Sequence, residues 1–102
     1  LRFEWDPRKA ELNLRKHRLD FARATRVFDD RHMMVDLDRG DHRNEARWIA
    51  MGAIEGDIVL VVFTWPEPDD EDVVRLISAR RATRREAQSY WKNRFAEDPH
   101  TR

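Results

Sequence analysis

The sequence predicts an α+β fold: a small antiparallel sheet of about four strands, with two helices ahead of it and one behind. Three observations point there. The 102 residues suit one domain with a single modest core. Apolar residues make up 40% of the chain, with four Trp and five Phe against three Gly and four Pro, which excludes a disordered or fibrous chain. Hydrophobic spacing is helical near both ends and strand-like in the middle, where short connections favour an antiparallel meander. The expected order is β-α-α-β-β-β-β-α in one domain, 1–102, ordered over about 2–95 and frayed beyond.

Each element has its own reason. "RFEW" alternates as a strand and runs into Asp6-Pro7, where Asp6 suits an N-cap and Pro7 the first helical position. Ala10, Leu14 and His17 follow at helical spacing, and this helix ends near Arg18-Leu19. Asp20 caps a second helix with the stripe Phe21, Ala24, Val27 and Phe28, which Asp29-Asp30 stop. "MMVDL" is a short strand, and "DRGDHRN" a polar loop turning at Gly40. Residues 45–54 alternate, with Glu45, Arg47, Ile49 and Met51 on one face and Ala46, Trp48 and Ala50 on the other. Glu55-Gly56 signals a tight turn into "IVLVVFTW", which is apolar on both faces as a central strand should be. "PEPDDED", residues 66–72, is a projecting acidic loop. "VVRLISAR" is the last strand; Thr83 and Glu86 form a capping box, and Ala87, Tyr90, Trp91 and Phe95 give the final helix its stripe.

The formal net charge is zero, yet the charges are segregated. Glu55 to Asp72 holds seven acids and no base, while Arg75 to Arg94 holds seven bases and one acid. With no cysteine there is no disulfide or thiolate metal site, and no apolar run could span a bilayer. No signal peptide is recognised, so the cytoplasm is the expected location, with no membrane partner. His32 and His42 flank aspartates but match no zinc spacing, so no metal and no cofactor is expected.

No G-x-S-x-G, phosphate-cradling glycine loop or H-E-x-x-H occurs. What remains is cations, a few carboxylates and a tyrosine, which is what metal-free RNA cleavage requires: a base for the 2′-hydroxyl, an acid for the leaving oxygen, and fixed cations on the phosphorane. Arg47, Arg75 and Arg80 lie in strands, where a guanidinium fork is held rigidly. Arg47 with Glu45 is either a structural ion pair or a base with its charge stabiliser. Arg75 and Arg80 face opposite ways unless the strand twists or bulges near Ala79. Arg84 and Arg85 oppose the helix dipole in the first turn, so a phosphate or acidic partner is expected there. His17 is either a proton-transfer group or a helix-end histidine on a carbonyl, and Lys16 a solvated charge. Tyr90 is either core or a hydroxyl presented to a groove, able to stack on a base. The alternative to catalysis is a binding module whose basic helix 83–95 docks on nucleic acid or an acidic protein.

"FEWDPRKAELNLRKH", "FARATRVFDD", "EARWIAMG" and "RLISARRATRREAQSY" resemble, in order and spacing, the BrnT family of bacterial type II toxins. The resemblance implies a RelE-like fold and a metal-independent endoribonuclease toxin that halts translation and growth. It implies as partners RNA and a BrnA-like ribbon-helix-helix antitoxin, with operator DNA reached only through the antitoxin. Position by position, it carries roles to Lys16-His17, to Glu45 and Arg47, and to Ile77 through Arg80. The expected catalytic set is His17, Glu45, Arg47 and Arg80; the expected RNA contacts are Lys16, Arg75, Arg81, Arg84, Arg85 and Tyr90. Arg18 departs from the glycine common after K-H in that family, which bears on the helix end beside His17.

Overall fold

The computed structural model describes residues 1–40 and 45–97. Residues 41–44 of the expected polar loop, with His42, and the expected frayed tail from 98 onward lie outside the described residues. The elements are β1 (Arg2–Glu4), α1 (Pro7–His17), α2 (Phe21–Ala24), a 3-10 helix (Thr25–Asp29), β2 (Met34–Asp38), β3 (Arg47–Ile54), β4 (Asp57–Thr64), β5 (Val73–Arg81) and α3 (Arg84–Glu97).

The sheet has five strands, not about four, in the order β1-β5-β4-β3-β2. The expected antiparallel meander is present from β2 to β5, but β1 joins β5 in parallel, so the sheet is mixed. The parallel sense follows from what comes after β1. It pairs with Val73 to Arg75, and α1 then continues the same way along the bare edge of β5, where the Asn13 amide takes over the pairing. Asn13 Nδ2 donates to Ala79 O at 2.9 Å and Oδ1 accepts from Ala79 N at 3.0 Å. A side-chain amide thus satisfies both backbone groups of an otherwise open, buried edge.

That role corrects the expected stripe of α1. Leu14 is 49% exposed, and Asn13 is the buried residue of the helix. The second helix also differs, because it tightens into a 3-10 helix after Ala24. Phe21, Ala24 and Val27, all fully buried, are spaced by three, the repeat that keeps one face of a 3-10 helix inward. The Asp6 and Asp20 caps form as expected, accepting from Arg8 N and Ala22 N.

One face of the sheet carries the main core. Ala50, Ile54, Val59, Val61, Phe63, Val74, Leu76 and Ala79 pack there against Leu19, Phe21, Ala24 and Val27. Backbone closeness explains Gly52, where a Cβ would meet Val27 Cγ1 at 3.0 Å. The tight turn before β4 forms with positive φ at both central residues, 50° at Glu55 and 90° at Gly56.

α3 lies on the opposite face. Arg80, paired with Leu60 on that face, is gripped by Glu86 of α3, and the buried Tyr90 donates its hydroxyl to Asp30, which also accepts from Ala53 N of β3. The helix therefore crosses β4 between its two anchors, accounting for the burial of Ile58 and Leu60.

Candidate functional site at the open end of the sheet

A bulge decides where the arginines go. Val62 pairs with Ser78 but Phe63 with Leu76, so Ile77 is an extra residue in β5. It resets the alternation, and Arg75, opposite Thr64, shares a face with Arg80, opposite Leu60. The expected bulge near Ala79 is found two residues earlier.

Arg47 belongs to the same face, since Ile49 pairs with Val62 and Arg47 is two residues before Ile49. Reading across the open end of this face gives Asp38, Arg47, Thr64, Arg75 and Glu4 on consecutive strands. Arg47 and Arg75 are separated by one strand, so their backbones lie about 10 Å apart. Thr64 ties this end together by donating from Oγ1 to Ala46 O at 3.0 Å.

The cations differ in how firmly they are held. Arg75 places Nε and Nη2 on Glu4 Oε2 at 3.0 and 2.9 Å. Arg80 forms a two-pronged pair with Glu86, at 2.8 and 2.9 Å. That bond lowers the Glu86 carboxyl to about 2 and raises the Arg80 guanidinium. The Glu86 carboxylate also accepts from Thr83 N, and Glu86 N donates in return to Thr83 Oγ1, which is the expected capping box. Arg47 is looser. Its Nε is 3.8 Å from Glu45 Oε1, and that buried nitrogen has no hydrogen-bond acceptor among the described residues. A buried donor left without an acceptor costs stability.

The remaining expected residues gather elsewhere. Lys16 and His17 end α1 at the other corner of the sheet, where Arg81 Nη1 donates to His17 O at 3.4 Å. Arg84 and Arg85 are exposed in the first turn of α3, just past Arg81. This corner is the basic pole. His17 and Glu45 are on the order of 20 Å apart, two strands across and most of a strand along, so one phosphate cannot touch both.

Tyr90 requires a correction. It is fully buried, and its hydroxyl is bound to Asp30, so it presents no atom to RNA. Burial, then the Asp30 bond, pushes the phenol up to about 12. Burial alone would raise Asp30, but the donors Tyr90, Ala53 and His32 outweigh it and hold that carboxyl below its usual range. Sequence reasoning missed Asp30, taken only as a helix stop, and Asn13, whose polar side chain gave no sign of lying inward.

A hollow of about 420 Å³ opens beside this end, bordered by Glu45, Thr64, Trp65 and Arg75. A larger one, of about 660 Å³, lies between β1 and the acidic loop, where Glu4, Glu67, Asp69 and Asp70 would repel a phosphate. Among the described residues no group of three metal-ligating side chains occurs, and no helix is long and apolar enough to cross a membrane.

Comparison with protein families matches residues 5–86 to the ribonuclease toxin BrnT of type II toxin-antitoxin systems. The chain belongs to the BrnT family. The match runs from Trp5 through Glu86, and so includes α1, the whole meander and the Arg80 clamp. Membership makes this BrnT chain a ribonuclease toxin by family, with a protein antitoxin as its class of partner. Among curated proteins no match is found.

Proposed function

We propose that the chain is an endoribonuclease that cuts RNA without a metal at the open end of the second sheet face, with Arg47 at its centre. The observation carrying this reading is the buried Nε of Arg47, without an acceptor among the described residues, loosely beside Glu45 and one strand from Arg75, in a chain of a ribonuclease toxin family. Glu45 takes the proton of the 2′-hydroxyl, and the freed oxygen attacks the adjacent phosphorus. Arg47 and Arg75 bind the non-bridging oxygens as charge builds on them, which preorganised donors do without reorganising. The 5′-oxygen leaves and is protonated from solvent, giving a 2′,3′-cyclic phosphate and a 5′-hydroxyl. Arg81, Arg84, Arg85 and Lys16 attract the rest of the RNA backbone from the basic pole. His17 belongs to that pole in this reading and makes no contact with the scissile phosphate.

The antitoxin is a BrnA-like ribbon-helix-helix protein whose acidic segment covers the basic pole, and operator DNA is bound through it. In the cytoplasm the unbound toxin cuts RNA and stops translation and growth. The RelE-like fold implied by the resemblance agrees with this architecture in having a meander with helices packed on it. Purified chain incubated with RNA and EDTA should yield cyclic-phosphate ends; cleavage only on adding a divalent metal refutes the chemistry.

One observation favours a second reading. Arg75 and Arg80 already hold carboxylates, as they would in a non-catalytic module that binds nucleic acid or an acidic protein by its basic pole. Such a module binds RNA with steep salt dependence and breaks none at any protein concentration.

A further inference from the structure

The hollow beside Arg75 has an aromatic wall as well as charges. Trp65 leaves β4 at its rim with Trp48 beside it, and Pro66 and Pro68 fix the backbone of the adjoining wall. Trp65 is only partly buried. It meets Trp48 at 5.2 Å and 62° and Phe63 at 5.1 Å and 89°, so among the described residues no ring lies flat against its indole. Arg75, Thr64 and Glu45 line the same hollow as Trp65, so a guanidinium and a carboxylate border the space in front of the indole. A stiff aromatic wall with a few polar groups at one side suits a flat heterocycle bearing a phosphate. The volume of about 420 Å³ falls within the roughly 300–1,000 Å³ of small-ligand sites.

We propose that this hollow is a nucleobase subsite, seating the base of the nucleotide whose 3′-phosphate lies against Arg75 and Arg47; this rests on the RNA-cleaving reading above. The base stacks on Trp65, and its ribose then lies at the Glu45 edge, where the 2′-hydroxyl must be for its proton to be taken. Glu67 and Asp69 on the far side repel phosphates, so the strand leaves the hollow along the sheet towards Arg80. The substrate is single-stranded here, because a base in a duplex has no free face to offer an indole.

Calorimetric titration of the intact chain with the four ribonucleoside 3′-monophosphates and with inorganic phosphate tests the subsite. At least one nucleotide should bind roughly tenfold or more tightly than phosphate, the scale of one base–aromatic stack. Trp65→Ala, with near-ultraviolet circular dichroism confirming its fold, should drop that nucleotide to the level of phosphate and leave phosphate unchanged. Trp65→Phe, which keeps a ring against Phe63, should fall between the two and decides the matter if the alanine variant unfolds. Trp91→Ala, on α3, should match the parent chain. Equal affinity for phosphate and all four nucleotides overturns the subsite while leaving the phosphate site standing; binding of neither overturns both.

Discussion

Arg47 and Asn13 are both polar residues turned inward, with opposite outcomes. Asn13 is fully used, donating to Leu19 O and Ala79 O and accepting from Ala79 N. Asn13→Ala strands three buried backbone groups and should lower stability by about 2–4 kcal/mol, read from urea unfolding. The Arg47 Nε finds no acceptor among the described residues, so Arg47→Ala should leave the urea midpoint nearly unchanged or raise it. Arg18 is a third special residue, closing α1 with φ 57° and its N–H on Leu14 O at 2.9 Å. A left-handed conformation is costly for a side chain with a Cβ, and Arg18→Gly should add about 1 kcal/mol, visible as a rise in melting temperature. That departure from the family's glycine was legible in the sequence because the αL cap is a local requirement. The inward turn of Asn13 was not, because it answers to an edge of β5, 66 residues away.

Among the elements, β5 and the start of α3 carry most of the consequence. The bulge at Ile77 puts Arg75 and Arg80 on one face, and Glu86 then joins strand to helix. The Glu86 carboxyl is held at about 2 in the folded chain against an ordinary 4.5, so its stabilising contribution is complete above about pH 4.5 and disappears as the pH falls through about 2. Glu86→Gln should therefore unfold at lower urea than the parent near neutral pH, with the gap closing on acidification between those values. The effect is modest because the pair is partly solvated. The order of strands and helices was legible from periodicity and caps, which are local signals, but the sheet was expected to hold about four strands and holds five. The parallel docking of β1 was not legible, since it follows from where α1 must lie, and neither was the 3-10 helix, where period three and period 3.6 agree over so few residues. The bulge was legible only as a condition: arginines at an odd spacing can share a face only if the strand inserts a residue.

At the scale of the whole molecule, charge segregation and fold coincide. β5 runs from the acidic loop at one end of the sheet to the basic pole at the other, and the proposed cutting site lies beside the acidic end. Two kinds of arginine are thus separated, those that gather RNA and the pair, Arg47 and Arg75, that acts on the phosphate. Variants at the basic pole, such as Arg84→Ala with Arg85→Ala, should weaken RNA binding, lower its salt dependence and leave the rate at saturation near that of the parent. Single-turnover cleavage of a single-stranded RNA in EDTA, at saturating protein, separates binding from chemistry and tests the central claim most directly. Arg47→Ala should cut about 100- to 1,000-fold more slowly than the parent, the usual loss for one preorganised oxyanion donor, while the Arg84/Arg85 variant cuts at nearly the parental rate. An Arg47→Ala protein that cleaves at full speed would contradict the account.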